Sequence, residues 1–308
     1  LSQRDQPDYL PGLSDAQKKD LLARTSYNDY LLQRARVHPL AARYLQTRTH
    51  ELFCAGSDAV PALFCWNMGY PGFYGLGLSP TPPEQLREEP GGQHGRENLA
   101  RASAGDPLIH FPDGNATIAR LLVRALLPAA VPGRTMEDVV TARVAYDRLD
   151  QAGAATRIRL NSTVVRVQHQ GGDKAAEVEV FYVRGGVTHR VRGRGCVLAC
   201  WNSVIPYLCP ELPAAQRAAL AHNVKQPIVY TSVLLRDWQA FHKLGVSAIY
   251  APGGYHHSIE LATPTHLGAY RPAYAPDQHV LLHLERTPCQ PGLPKKDQHR
   301  VGRAELLA

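Results

Sequence analysis

The feature that most constrains the fold is a predicted β-hairpin near the middle of the chain. Its sequence, EVEVFYVRGGVTHRVRG, alternates apolar and polar residues on both sides of the pair Gly185 and Gly186. Alternation of this kind is typical of strands, and two glycines between two strands favour a tight hairpin turn. The chain is therefore expected to contain an antiparallel sheet in this region.

The segments on both sides of the hairpin predict further strands. RIRLNSTVVRVQH, residues 157–169, is rich in β-branched residues and carries apolar side chains along most of its length. CVLAC, residues 196–200, is short and fully apolar, which is typical of a strand that is buried on both faces. WNSVIPYL follows it directly and predicts a short helix.

A turn and a helix are predicted ahead of these strands, at HFPDGNATIARLLVRALLPAA, residues 110–130. Asp113 or Asn115 would cap the helix, and Pro128 would end it. The glycine between them, Gly114, allows either a sharp backbone turn or the close approach of a ligand to the helix N-terminus. The apolar residues recur at helical spacing and predict a stripe that faces the core, formed by Ile118, Leu121, Leu122, Ala125 and Leu126.

The other patterns predict a mixed fold, α/β or α+β. In the first hundred residues Ser14 and Gln17 predict a capping box, and helical patches follow. The second half predicts strands and a short helix that Gly245 ends; the strands are expected at 225–238, 247–250, 257–263 and 279–285. We expect three regions, a helical and loop-rich region 1–108, a region 109–210 that holds the helix and hairpin, and a mixed sheet 211–308.

The composition favours a packed core and disfavours two classes of partner. Of the 308 residues, 44% are hydrophobic and 20% are charged, as in ordinary globular domains. No apolar run is long enough to span a membrane. The net charge is +7, but the arginines are scattered and form no dense block with aromatic residues, so nucleic-acid binding is not predicted.

Few local motifs for metals or catalysis are present. The six cysteines contain no CxxC pair; small buried thiols are favoured over a zinc site, and a disulfide stays open. His256 and His257 are adjacent, so on a strand they would point to opposite faces, and no metal site is predicted. The sequence contains no GxGxxG, GxSxG, HExxH or Walker motif in a suitable context.

Five segments in order resemble the central part of flavin-dependent amine oxidases, above all bacterial spermidine dehydrogenase-like FAD proteins. They are FPDGNATIARLLVRALLP, TARVAYDRLD, RIRLNSTVVRV, CVLACWNSVIPYLCPELP and VYTSVLLRDWQAFHKLGV. The resemblance implies that 109–210 is part of an FAD-binding domain and 211–308 a truncated substrate domain. Because the family's N-terminal Rossmann unit is absent, we expect a central fragment that is inactive alone.

The resemblance also implies which residues approach FAD. In the family these are the turn before the helix, the first valine of the next strand, and the end of the short apolar strand. In this sequence they are Asp113, Gly114, Asn115, Val164, Ala199, Cys200 and Trp201.

The resemblance to the amine oxidase family also implies a catalytic residue and a substrate site. Tyr230 stands where many amine oxidases have a lysine near the flavin, which suits a dehydrogenase that passes electrons to an acceptor other than oxygen. Aromatic side chains suit an amine or ammonium group. The candidates are Trp66, Tyr70, Phe73, Tyr74 and Tyr255.

The activity implied by the resemblance is oxidation of an amine, such as the polyamine spermidine, by hydride transfer to flavin N5. The implied partners are a small-molecule amine and an electron acceptor. Haem b and a homo-oligomer are further family-level expectations, as is a periplasmic location, with the cytoplasm as the alternative. Two other interpretations stay open, a non-catalytic truncated remnant and a basic binding module.

Overall fold

The computed structural model divides the chain into two compact units. Unit 1 combines residues 1–108, 225–264 and 273–308, and unit 2 combines residues 109–224 and 265–272. The structure describes residues 6–80, 111–171, 177–222 and 225–308.

Most helices are short, and they occur in both units. In chain order they are α1 (Asp15–Arg24), α2 (Tyr27–Asp29), α3 (Pro39–Tyr44), α4 (His50–Phe53), α5 (Ala62–Asn67), α6 (Ala116–Leu126), α7 (Met136–Thr141), α8 (Ile205–Leu208), α9 (Ala214–His222), α10 (Gln239–Leu244) and α11 (Lys295–Glu305). A π-helical turn follows α2 at Tyr30–Arg34, and 3-10 turns lie at Tyr74–Leu76 and Tyr146–Arg148.

The strands form two antiparallel sheets, one in each unit. The strands are β1 (Pro112–Asn115), β2 (Thr163–His169), β3 (Val178–Arg184), β4 (Val187–Gly193), β5 (Val229–Leu235), β6 (Ala248–Tyr250), β7 (Ser258–Leu261) and β8 (Val280–Arg286). The orders are β2-β3-β4 in unit 2 and β5-β8-β7-β6 in unit 1, whereas β1 pairs with none of the described strands. The mixed helix-and-sheet class predicted from the sequence is confirmed.

The core of unit 1 is built around stacked aromatic rings. Phe73 lies between Tyr27 and Tyr30, with ring centroids 5.7 and 4.8 Å away. The two tyrosine hydroxyls are satisfied, because Tyr27 donates to the Pro71 carbonyl at 2.8 Å and Tyr30 to that of Gly72 at 2.6 Å. A buried aromatic cluster with bonded hydroxyls fixes the helices around it.

Several local predictions in unit 1 are confirmed. The Ser14 side chain accepts a hydrogen bond from the Gln17 backbone and the Gln17 side chain accepts one from the Ser14 backbone, which completes the capping box. Helix α10 ends at Gly245, whose backbone is left-handed. The strands predicted in the second half are present. The first three are shorter than predicted, since only the hydrogen-bonded residues of each segment form the sheet, and the fourth is shifted by one residue to Val280–Arg286.

Unit 2 confirms the predicted hairpin. Arg184 pairs with Val187 across the turn, and Gly185 and Gly186 both have positive φ. Strand β2 pairs with β3, but it begins only at Thr163, so the first part of the predicted strand 157–169 is irregular.

The predicted buried strand at 196–200 is wrong. These five residues form no strand, and the Val197 side chain is 91% exposed. A strand that is buried on both faces needs sheet neighbours and covering layers, and no described strand pairs with this segment. The expectation of buried thiols is confirmed for Cys54 and Cys65, whereas Cys196 and Cys200 are exposed.

The predicted core-facing stripe of α6 is also wrong. Ile118, Leu122 and Leu126 are 43%, 61% and 58% exposed. The helix is rotated because Arg124 turns inward and donates to the carbonyl oxygens of Val131, Pro132 and Thr135. On the packed side, Leu121 contacts the small core of unit 2, whose buried residues are Ala130, Val131, Val139 and Leu149.

Candidate functional site

The turn before α6 uses glycine for its backbone conformation. Gly114 has φ of +69°, a left-handed conformation that costs other residues energy. Its N–H donates to the Phe111 carbonyl at 2.9 Å. No atom of the described structure lies within 4 Å of the place where a Cβ would stand, so this side of the turn is open to solvent.

The carboxylate of Asp113 is held by the helix that follows it. It accepts hydrogen bonds from the Thr117 hydroxyl and, at 2.8 Å, from Arg120 Nε. The pKa of Asp113 is held below its usual value, mainly by the hydrogen bond from Thr117 and then by that from Arg120. Asn115 makes no capping hydrogen bond through its side chain. The Asp113 side chain bonds to the side chain of Thr117 in the first turn of the helix and not to the helix backbone.

The other candidate cofactor residues also lie in unit 2 and are accessible. Val164 on β2 is 37% exposed, and Trp201 is 58% exposed. Ala199 and Cys200 lie in the exposed segment before Trp201. The backbone at Gly114 and these side chains are therefore accessible to solvent.

A cavity of about 520 Å³ lies beside this segment in unit 2. Cys196, Leu198 and Cys209 line it together with His169 and Glu211. Glu211 accepts from the His169 backbone N–H and lies 2.7 Å from His169 Nδ1; the backbone bond is the first cause that lowers the Glu211 pKa. No local pattern in the sequence indicates this cavity, since its lining residues come from four separate segments, 167–169, 178, 196–198 and 209–216.

Tyr230, the predicted catalytic position, lies on β5 of unit 1. Its side chain is 62% exposed, and its ring centroid is 5.1 Å from that of His283 on β8. Partial burial, followed by the charge of Glu285 on the paired strand, raises the pKa of Tyr230. The residue therefore presents a protonated phenol to solvent.

The predicted aromatic substrate residues are distributed over unit 1 in different environments. Phe73 is buried in the core, whereas Tyr74 and Tyr255 are exposed. Trp66, Tyr70 and Tyr255 each have a cation of the chain over the ring, at 5.1, 5.5 and 4.2 Å respectively. The exposed ring of Tyr74 can face a positive group. The rings of Trp66, Tyr70 and Tyr255 already face a cation of the chain, and Phe73 stabilises the fold.

A buried polar cluster in unit 1 was not predicted from the sequence. His257 Nε2 lies 3.9 Å from Glu285 Oε1, and the two side chains are 6% and 12% exposed. This separation is too long for a hydrogen bond, and neither atom has another partner among the described residues. Burial lowers the pKa of His257 and raises that of Glu285, so burial favours the neutral form of each group.

His50, at the start of α4, packs against this pair. Its ring is 5.2 Å from the His257 ring, edge to face, and its Nε2 is 3.3 Å from Cys289 Sγ. Burial, and then the neighbouring His257, lower the pKa of His50 to about 4. In the described part of the chain, no group of three or more His, Cys, Asp or Glu side chains could hold a metal ion.

Next to the cluster lies a cavity of about 210 Å³ that we call the acidic cavity. The residues that line it are Thr47, Arg48, Glu51, Ala248, Ile249, Tyr250, His257, Ser258 and Glu260. Helix α4 and the loop before it form one wall, and strands β6 and β7 form the other. Because these segments are about two hundred residues apart in sequence, no local pattern could have revealed the cavity.

Comparisons with known proteins show similarity to solved structures. No family model and no curated protein matches the chain. Among solved structures, the chain is similar to a double mutant of putrescine oxidase made by structure-based redesign of cofactor binding, with 13% sequence identity and a TM-score of 0.41. The match covers 87% of this chain and 45% of that chain, so the chain spans less than half the length of that oxidase. No helix among the described residues is long and apolar enough to cross a membrane.

Proposed function

We propose that this chain is part of an FAD-dependent amine oxidoreductase, with a polyamine such as spermidine as substrate. The observation that carries the proposal is the set of five segments that resemble flavin-dependent amine oxidases in the same order along the chain. All five segments contain elements found in the structure, which are α6 with its Gly114 turn, the 3-10 turn Tyr146–Arg148, β2, α8, and β5 with α10.

In this proposal unit 2 supplies part of the cofactor site. The open turn at Gly114 and the exposed segment at Ala199, Cys200 and Trp201 would hold FAD, with Val164 beside its adenine end. FAD, when bound, supplies a hydride acceptor at N5. Asp113 keeps the turn in place through Thr117 and Arg120, and would act as a positioning residue.

Unit 1 would supply the amine site. An exposed aromatic ring such as Tyr74 suits an amine or ammonium group, and at Tyr70 and Tyr255 the substrate would have to replace the arginine that faces the ring. Tyr230 in place of a lysine fits electron transfer to an acceptor other than oxygen. A periplasmic location belongs to the same proposal and rests on the resemblance alone.

The alternative of a basic binding module would use the arginines of unit 2, which form ion pairs. Arg157, Arg159 and Arg184 all lie within 3.2 Å of the Asp150 carboxylate. Arg190 and Arg192 on β4 each lie 3.2 Å from Glu179. Five arginines share two carboxylates in these clusters, so positive charge remains in excess there, and salt-dependent binding of a polyanion would distinguish this alternative from the amine oxidoreductase.

The test is made on the full natural polypeptide that contains these 308 residues. We expect it to purify with flavin, and we expect spermidine, added without oxygen, to bleach the visible flavin absorbance. An uncharged alcohol of similar length serves as the control and should leave the spectrum unchanged. A polypeptide that binds no flavin, or a flavin that no amine reduces, would contradict the proposed function.

A further inference from the structure

Two cysteines line the larger cavity of unit 2, the one of about 520 Å³. Cys196 belongs to the exposed segment before Trp201, and Cys209 follows the last residue of α8. Both are free thiols, the first exposed and the second partly buried. Thiols that are accessible can react, whereas thiols that are enclosed by apolar side chains are inert. A reagent that enters this cavity therefore meets two thiols that can react.

The two thiols are close enough to influence each other. Burial is the first cause that raises the pKa of Cys209, and the charge of a Cys196 thiolate is the next. Cys200 has a weaker influence, after that of Glu211, and it is not among the described residues that line the cavity. The thiol that faces Cys209 across the cavity is therefore that of Cys196.

The backbone allows these two residues to approach each other. Cys209 is fixed at the end of α8, where its N–H donates to the Ile205 carbonyl at 2.9 Å. Residues 196–200 form none of the described strands. Gly195 precedes them, and no described atom lies within 4 Å of the place where its Cβ would stand. A glycine in open space permits the backbone rotation that would bring the two Cα atoms to about 4.4–6.8 Å, the separation found in disulfides.

The surroundings of the thiols favour dithiol chemistry over a metal site. His169 and Glu211 also line the cavity, but the Nδ1 of one lies 2.7 Å from the carboxylate of the other. A structural zinc ion needs a complete tetrahedral set of ligands. Among the residues that the structure describes, no group of three or more such side chains could hold a metal ion.

We propose that Cys196 and Cys209 form a reversible disulfide across this cavity, with a small disulfide such as oxidised glutathione as the oxidant. The exposed Cys196 reacts first: its thiol loses a proton to solvent, and its sulfur attacks the small disulfide, which gives a mixed disulfide and releases one thiolate. Cys209 then loses its proton, and its sulfur attacks that of Cys196 and releases the second thiolate. The two cysteines are oxidised by two electrons, and the small disulfide is reduced to two thiols.

The experiment maps the cysteines of the full natural polypeptide after equilibration in glutathione buffers of defined ratio. Acid stops the exchange, an alkylating agent blocks the free thiols, and chymotrypsin, which cleaves after Leu198 and Trp201, separates the three cysteines of this region for mass spectrometry. We expect peptides joined through Cys196 and Cys209 in oxidising buffers and their separation in reducing buffers. Oxidising buffers that leave only glutathione on Cys196, or leave every cysteine of this region free, would overturn the proposal.

Serine variants identify the pair. Cys196→Ser and Cys209→Ser should each lose the joined peptides, and Cys209→Ser should retain glutathione on Cys196, because the thiol that displaces it is absent. Cys200→Ser, which removes an exposed thiol next to the cavity, is the matched control and should form the joined peptides to the same extent. Joined peptides that persist in Cys196→Ser, or that disappear in Cys200→Ser, would place the bond elsewhere and overturn the proposal.

This inference does not rest on the proposed function, because the mapping needs neither flavin nor amine. Joined peptides in a polypeptide whose flavin no amine reduces would keep the disulfide and contradict the proposed function. Flavin reduction by spermidine in a polypeptide whose Cys196 and Cys209 stay separate in every buffer would keep the function and contradict the disulfide.

Discussion

At the scale of the residue, the most unusual environment belongs to the histidines behind the acidic cavity. His50 and His257 pack edge to face, and both have pKa values lowered chiefly by burial. A buried imidazole is inexpensive while it is neutral, but its protonation in the folded chain places a charge where water cannot solvate it. The stability of unit 1 is therefore coupled to pH through these residues.

We predict that acid destabilises the protein through His50. Its folded pKa of about 4 lies below the ordinary 6.5, so below pH 6.5 the unfolded chain binds a proton that the folded chain does not. The stability is complete above pH 6.5 and falls as the pH is lowered through this window to about 4, by about 3 kcal/mol for this residue. Urea unfolding at a series of pH values measures the loss.

The control for this prediction is a second histidine. His50→Asn should flatten the pH dependence between neutral pH and about pH 4, whatever it does to stability at neutral pH. The exposed His279 in the same unit can be changed in the same way, and His279→Asn should keep the slope of the original protein. Equal slopes in the original protein and His50→Asn would show that His50 has no role.

At the scale of the element, α6 shows that an apolar pattern can predict a helix correctly and its buried face wrongly. Its spacing correctly predicts a helix that ends before Pro128, because periodicity and proline act locally. Its orientation depends on Arg124, which bonds to three carbonyl oxygens of the following loop. With Arg124 on the packed side, Ile118, Leu122 and Leu126 face solvent in the described structure.

A matched pair of leucine substitutions tests this orientation. Leu122→Ala removes a side chain that is 61% exposed and should change the free energy of unfolding by no more than about 0.5 kcal/mol. Leu149→Ala removes one that is 5% exposed in the core of unit 2 and should cost about 2–5 kcal/mol. Denaturant unfolding measures both, and similar losses in the two variants would mean that α6 packs through Leu122.

At the scale of the whole molecule, unit 1 is closed by contacts between the two ends of the sequence. On α11, Gln298 Nε2 donates to Asp58 Oδ2 at 3.0 Å, and His299 Nε2 lies 2.8 Å from the Cys54 carbonyl oxygen. Both side chains are almost completely buried. The helix is therefore part of the core of unit 1, although its sequence is strongly polar.

We predict that Gly302→Ala destabilises unit 1, although alanine favours helices. A Cβ at Gly302 would meet the carbonyl oxygen of Pro288, a backbone atom that cannot move aside cheaply. The gain of about 1 kcal/mol in helix propensity should be outweighed, for a net loss of about 1–2 kcal/mol in the free energy of unfolding. The control is Arg300→Ala on the exposed side of α11, expected within about 0.5 kcal/mol. A stabilised Gly302→Ala variant would mean that α11 does not dock closely.

The sequence by itself determined the features that depend on neighbours along the chain. The capping box at Ser14, the turn at Gly185 and Gly186, and the helix end at Gly245 follow from local hydrogen bonding and from allowed φ values, and each is confirmed. The cofactor and substrate residues stay predictions, since they rest on a resemblance between sequences and not on a local physical rule.

Only the tertiary structure decided which side chains are buried and which distant ones meet. The burial of α6 and of residues 196–200 depends on neighbouring elements, so apolar composition alone gave the wrong result for both. The acidic cavity joins Glu51 with Glu260, and the neighbouring cluster joins His50 with His257. Such contacts depend on how segments that are far apart in the sequence pack together, and residue spacing does not predict the spatial distance between them.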